Sequence, residues 1–209
     1  MQIDELVVIV PEYDVDHVLP GQISEILALE PIQGYRLLPG RFEAVKELFT
    51  HLPKGIIHFV GHGVVKLSPQ GIPRYSILLE DLELDLIAWK GLIPLKNDRH
   101  PFYFFNACKV GQSHQVANMV DGWAPAVLEK GASGYIGALW PVADKSAAEF
   151  AKHFYGIIDE KLKQNSVNVA EAIRDTRKMY LKTGDLTYLA YIFYGDPNLE
   201  FVRHFENIK

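Results

Sequence analysis

Two residues of this sequence, His62 and Cys108, could together carry nucleophilic chemistry. Each follows a short apolar run: His62 ends the segment GIIHFVGH, and Cys108 ends the segment PFYFFNAC. Cys108 is the only cysteine, so no intramolecular disulfide is possible. If the two runs are neighbouring strands, both side chains reach the edge where open α/β sheets bind their ligands. We therefore expect the thiol and the imidazole to meet in space.

A thiol and a neighbouring imidazole are the two side chains that a cysteine peptidase requires at least. A free cysteine, with a pKa near ~8.5, is mostly protonated at neutral pH. His62 would accept that proton and later give it to the leaving amine. For the oxyanion we assign the backbone N–H of Cys108 and that of Gly63, which has no Cβ to block a substrate. His114 is a weaker candidate base, because it lies in the predicted loop after the nucleophile.

Three further residues could line a substrate pocket beside this pair. Asn106 precedes Cys108 by two positions, so a strand would point both side chains to one side; shaping the turn is an equal alternative. Asp144 would favour a basic substrate side chain, although capping the following helix is its simpler role. Trp140 could form an apolar wall or belong to the core. Basic and large apolar substrates are both compatible with these residues.

A metal site is not expected, although His58 and His62 have the spacing of a zinc helix. The segment lacks the glutamate of H-E-x-x-H, and its glycine and valine suit a strand better. We expect His58 to pack within the sheet, and we expect no cofactor. No phosphate-binding glycine motif and no G-x-S-x-G motif occurs, so nucleotide and serine-hydrolase functions have no support.

Strand and helix patterns alternate along the chain. The predicted strands cover residues 6–10, 35–38, 55–60, 102–105, 135–140 and 188–194. The predicted helices cover residues 22–29, 42–52, 122–130, 144–163 and 169–181, and residues 76–79 and 82–86 could form a small β excursion. For the first helix, the apolar face consists of Ile23, Ile26 and Leu27. This alternation predicts an α/β fold, with a mostly parallel central sheet of about six strands and helices on both faces.

Composition limits the classes of function. A chain of 209 residues, 48% apolar and 22% charged, suits one globular domain over residues 1–209. Its net charge of −5 argues against direct nucleic-acid binding, which needs clustered Lys and Arg. No apolar run approaches the roughly 20 residues of a membrane helix, and the acidic N-terminal segment does not resemble a signal peptide. A single free cysteine suits the cytoplasm.

Four segments in order resemble the CHAT domain of the caspase-like (clan CD) cysteine peptidases. They are HFVGHG (58–63), FFNAC (104–108), GALWPVAD (137–144) and YGDP (194–197). The resemblance runs from about residue 19 to residue 197. It implies a caspase-like fold and hydrolysis of a peptide bond in a protein substrate by a Cys–His dyad. The catalytic residues would be His62 and Cys108, with Gly63 and Cys108 as oxyanion donors.

The resemblance also bears on regulation. CHAT domains commonly accompany a sensing region, often in bacterial defence or signalling systems, yet here core structure is predicted to begin by Leu6. We expect a separate regulatory or sensor protein, or a larger protein of which this chain is a part. The 26 residues between Cys108 and Tyr135 are predicted to be mostly helical, so no long cleavable linker is expected.

Two other functions are compatible with the same residues. One is a non-catalytic interaction scaffold with a caspase-like fold. The other is a cysteine hydrolase or acyltransferase that acts on a small amide or thioester.

Overall fold

The strands among the described residues form one large sheet and three small ones. The computed structural model describes residues 1–15, 17–94, 98–107, 113–116, 119–181 and 183–203, with the backbone alone for 113–116 and 119–121. The strands are β1 (Glu5–Val10), β2 (Tyr35–Pro39), β3 (Gly55–Val60), β4 (Gly63–Leu67), β5 (Pro73–Leu78), β6 (Glu83–Asp85), β7 (Phe102–Asn106), β8 (Ser113–Val116), β9 (Met119–Gly122), β10 (Gly134–Ala138), β11 (Ser166–Asn168), β12 (Tyr191–Gly195) and β13 (Glu200–Val202).

Helices follow most strands of the large sheet. They are α1 (Gln22–Leu29), α2 (Phe42–Thr50), α3 (Leu86–Leu92), α4 (Trp123–Glu129), α5 (Asp144–Leu162), α6 (Val169–Tyr180) and α7 (Thr187–Ala190). Within the described ranges, none of the helices combines the length and apolar character that crossing a bilayer requires.

The large sheet has six strands in the order β12-β10-β7-β3-β1-β2. All neighbours are parallel except β12, which runs antiparallel to β10. The predicted α/β fold with a mostly parallel sheet of about six strands is therefore confirmed. Because β3 and β7 are neighbours, the segments that follow them leave the sheet side by side at its carboxyl edge.

Side chains of the central strands alternate between two apolar cores. On β1, Leu6, Val8 and Val10 belong to one core, whereas Val7 and Ile9 belong to the other. The first core also contains residues of α1, α5 and α6, and the second contains residues of α2, α3 and α4. A sheet covered on both faces explains why its strands are continuous apolar runs rather than alternating ones.

The chain between the fourth and fifth predicted strands differs from its prediction. Residues 113–122 form the hairpin β8–β9, so His114 lies in a strand rather than a loop, and only Trp123–Glu129 are helical. The predicted helix start at Gly122 is wrong because this residue has a φ of 138°, a value that favours glycine and breaks the helix.

Two other regions differ from their predictions. The predicted excursion over residues 76–86 is part of a three-stranded sheet, β4-β5-β6, whose first strand begins at Gly63. The last strand of the large sheet begins only at Tyr191, because the preceding residues form the short helix α7.

Helix α1 is rotated from the orientation that its apolar pattern predicts, and of the predicted face only Ile26 packs against the core. Ile23 and Leu27 are 68% and 60% exposed, whereas Glu25 is 2% exposed and Leu29 is buried. The reason lies in the sheet beneath, where buried polar side chains need a hydrogen-bond acceptor.

Candidate active site

His62 lies between β3 and β4, separated from the end of β3 by one residue, and Tyr13 holds its backbone. The His62 N–H donates to the Tyr13 hydroxyl oxygen at 3.0 Å, and that hydroxyl donates to the Leu78 carbonyl oxygen at 2.8 Å. The Leu78 N–H in turn donates to the His62 carbonyl oxygen at 2.9 Å. The tyrosine hydroxyl therefore bridges His62, which precedes β4, and Leu78, the last residue of β5. Burial raises the pKa of Tyr13, which keeps this hydroxyl protonated as a donor.

Tyr13 fits at this position because residue 61 is glycine. A Cβ added at Gly61 would lie 2.4 Å from the Tyr13 hydroxyl oxygen and 2.6 Å from Cζ of Phe59. A larger residue would therefore displace the tyrosine from the His62 backbone.

The imidazole of His62 is fixed by the loop that follows β1. Its Nε2 lies 2.8 Å from the carbonyl oxygen of His17. Because a carbonyl only accepts, this contact assigns a proton to Nε2 and leaves Nδ1 as the nitrogen that can accept one. The Tyr13 ring packs against the imidazole with a centroid distance of 4.8 Å. One nitrogen is thus oriented and the other is available for proton transfer.

The predicted nucleophile, Cys108, lies outside the described residues. Strand β7 ends at Asn106, and Asn106 pairs with Val60 of β3. In the sequence, His62 and Cys108 each follow one of these paired residues by two positions.

Gly63, the predicted oxyanion donor within the described chain, begins β4. The bond from Leu78 to His62 makes these two residues a hydrogen-bonded pair, and Gly63 pairs with Ile77 next to them. Hydrogen-bonded and non-hydrogen-bonded pairs alternate in antiparallel ladders. The Gly63 N–H therefore points away from β5, as an oxyanion donor would have to.

A cavity of about 190 Å³ lies beside His62. Two of the three residues predicted to line a pocket, Asn106 and Asp144, contribute to its walls. Trp140 is not among the lining residues and is 38% exposed beyond the end of β10. The apolar part of the lining comprises Leu19, Val60, Ala107, Ala138, Val142 and Ala147.

Buried polar residues of the sheet and α1 form a connected cluster at this cavity. The Asn106 amide donates to both carboxylate oxygens of Glu25 at 2.8 Å, and the Tyr191 hydroxyl donates to the Asn106 carbonyl oxygen. Nε2 of His58 lies 2.7 Å from Glu25, and Nδ1 of His58 lies 3.1 Å from the Tyr155 hydroxyl. His58 is a buried sheet residue, as predicted. Among the described residues, no three His, Cys, Asp or Glu side chains are grouped to hold a metal ion.

Asp144 does not cap its own helix. It is the first residue of α5, and the N-cap position before it is occupied by Ala143. Its carboxylate instead accepts from the backbone N–H of Gly21, immediately before α1. The capping role expected from sequence is therefore wrong, and the carboxylate lies between the two helices at the cavity.

Sequence reasoning missed Tyr13, the His17 carbonyl and Glu25. The first two belong to a loop without periodicity, and a backbone carbonyl carries no residue-type signal. Glu25 could have been found, because a buried strand that contains His58 requires an acceptor from whatever packs on it.

Comparison with known proteins identifies the family. The family model for the CHAT domain matches residues 3–194. Among curated proteins, no sequence matches this chain.

Several solved structures of longer proteins share this fold. The Saccharomyces cerevisiae separase–securin complex matches with a TM-score of 0.60 and 16% identity, over 97% of this chain and 12% of that chain. The Arg-specific cysteine proteinase gingipain R matches with a TM-score of 0.61 and 14% identity, over 94% of this chain and 47% of that chain. The Porphyromonas gingivalis complex of RgpB pro- and mature domains matches with a TM-score of 0.60 and 14% identity, over 94% of this chain and 48% of that chain.

At such low identity these structures share the fold, and this chain spans about half or less of their length. The predicted caspase-like fold is confirmed by them, and the match over residues 3–194 shows that the chain belongs to the CHAT domain family of caspase-like proteins.

Proposed function

We propose that this protein is a cysteine endopeptidase in which Cys108 is the nucleophile and His62 the general base. The observation that carries the proposal is the arrangement of His62: it follows a strand adjacent to β7, with Nε2 bound to the His17 carbonyl at 2.8 Å. Such a histidine can take a proton only at Nδ1. The strand register supports its pairing with Cys108. Val60 of β3 pairs with Asn106 of β7, and His62 and Cys108 each follow one of these two residues by two positions.

The proposed reaction proceeds in two steps. Nδ1 of His62 removes the thiol proton, and the sulfur attacks the carbonyl carbon of the scissile peptide bond. The backbone N–H groups of Gly63 and Cys108 stabilise the oxyanion. His62 then gives its proton to the leaving amine, the C–N bond breaks, and water hydrolyses the remaining thioester by the reverse proton transfers.

The size of the cavity favours a protein substrate over a small amide or thioester. Sites for whole small molecules usually measure roughly 300–1,000 Å³, whereas the cavity beside His62 measures about 190 Å³. A volume of this size suits one side chain of a longer substrate, with the remainder of the peptide lying outside.

A regulatory or sensor protein is part of the proposal. Two of the three neighbours were solved as complexes, one with securin and one with a pro-domain. Together with the family membership, this supports control by a partner in a cytoplasmic bacterial defence or signalling system. The net charge of −5 supports proteins rather than nucleic acid as direct partners.

Cleavage of a proteome-derived peptide library tests the proposal. We expect cleavage by the wild type, none by Cys108→Ala, and a rate lower by about 10³-fold or more in His62→Ala. His51→Ala, a histidine at the end of α2, is the matched control and should cleave like the wild type. Full activity in Cys108→Ala would contradict the mechanism. Partner binding without cleavage, equal in wild type and Cys108→Ala, would favour the scaffold.

A further inference from the structure

We propose that the cavity beside His62 accepts a cationic side chain, arginine or lysine, from the residue before the scissile bond, and that Glu25 selects it. The proposal rests on the peptidase function and specifies its substrate. Because His62 itself lines the cavity, the side chain nearest the reacting carbonyl is the one that would enter.

The walls of the cavity match the two parts of such a side chain. Its charged lining residues are the carboxylates Glu25 and Asp144, and no Lys or Arg is present among the lining residues that the structure describes. The remaining walls are largely aliphatic. Lysine and arginine bury their methylene stems against apolar surface while the charged end meets polar groups.

Among the described residues, no Lys or Arg forms an ion pair with Glu25, whose partners are His58 and Asn106. Nε2 of His58 lies 2.7 Å from Glu25, and Nδ1 of the same imidazole lies 3.1 Å from the Tyr155 hydroxyl. The other donor to Glu25 is the neutral amide of Asn106. Burying a carboxylate in an apolar cavity is costly, and a cation from the substrate would offset part of that cost.

Glu25 should contribute more to selection than Asp144. Glu25 is 2% exposed, so water screens its charge weakly. Asp144 is half-buried and is already bound by the Gly21 N–H. We therefore assign selection to Glu25 and a secondary contribution to Asp144.

Binding of two small probes tests the selection without requiring catalysis. N-acetyl-arginine amide and N-acetyl-citrulline amide have nearly the same shape, but citrulline replaces the guanidinium with a neutral urea. Titrations followed by NMR should show that the wild type binds the arginine probe at least about 10-fold more tightly. Glu25→Gln should lower affinity for the arginine probe about 10-fold and leave the citrulline probe unaffected.

Two further variants complete the design. Glu160→Gln, about 24 Å along α5 from Asp144, is the control and should bind both probes like the wild type. Asp144→Asn should weaken arginine binding less than Glu25→Gln does. If circular dichroism shows that Glu25→Gln is unfolded, the wild-type comparison of the two probes and Asp144→Asn decide the question.

Equal binding of both probes by the wild type, or an unchanged preference in folded Glu25→Gln, would overturn the proposal. Cleavage after apolar residues would also overturn it while leaving the peptidase function intact. Conversely, Glu25-dependent selection of the arginine probe by a protein that cleaves nothing would refute the peptidase function and support a pocket that binds cationic side chains.

Discussion

Replacing Tyr13 with phenylalanine isolates the hydroxyl that bridges His62 and Leu78. The ring and its packing on the imidazole are retained, while two hydrogen bonds of 3.0 and 2.8 Å are lost. Each contributes roughly 1 kcal/mol, so the free energy of unfolding should fall by about 2 kcal/mol. For a protein of this size, that corresponds to a decrease in Tm of about 4–8 °C.

The same substitution should also loosen His62, the proposed general base. With its backbone no longer held, His62 should lose part of its contact with the His17 carbonyl, and the proton should be shared between the two imidazole nitrogens. Two-bond ¹⁵N–¹H NMR spectra distinguish these tautomers, and calorimetry measures Tm. We expect a dominant Nε2–H form in the wild type and a mixture in Tyr13→Phe.

Tyr35→Phe provides the matched control, because Tyr35 begins β2 at the opposite end of the sheet. It should not change the His62 tautomer. A stability loss in Tyr13→Phe with an unchanged tautomer would show that Tyr13 supports the fold without positioning His62. An unchanged Tm would show that the hydroxyl does not form the bridge.

Three further substitutions test the structure more widely. Gly61→Ala would place a Cβ 2.4 Å from the bridging hydroxyl, and thermal unfolding should show a loss of about 1–3 kcal/mol. A Cβ added at Gly156 in α5 would have no atom within 4 Å, so Gly156→Ala should stabilise the protein by about 0.5–1 kcal/mol in the same assay. Destabilisation would contradict the helix packing. Hydrogen bonds from Lys178 and Arg174 lower the pKa of Asp175 to about 2, below its unfolded value near ~3.9. Its stabilising effect is therefore present above pH ~4 and is lost as the pH falls towards ~2. Urea unfolding should therefore show a larger loss in the free energy of unfolding for Asp175→Asn at pH 7 than at pH 3. An equal loss at both pH values would contradict the pairing of Asp175 with Lys178 and Arg174.

The central sheet was predictable because its strands are buried on both faces. Continuous apolar runs such as 55–60 and 102–106 suit only a strand covered by helices on each side. The position of His62 at the carboxyl edge followed from the same argument.

The orientation of α1 could not be predicted from its own apolar pattern. The buried donors of His58 and Asn106 require Glu25 as an acceptor, and this requirement turns Ile23 and Leu27 outward. The contact that orients His62 was equally hidden, because it comes from a backbone carbonyl in a loop. Interactions of these kinds depend on tertiary packing and leave no periodic signal.

Alkylation of Cys108 by iodoacetamide between pH 5 and 9 tests most directly whether His62 activates it. The wild type and the His51→Ala control should stay reactive well below pH 8, because His62 favours the thiolate. In His62→Ala the rate should instead follow an ordinary thiol with a pKa near ~8.5. Identical slow, thiol-like profiles in wild type and His62→Ala would contradict an activated Cys108–His62 pair.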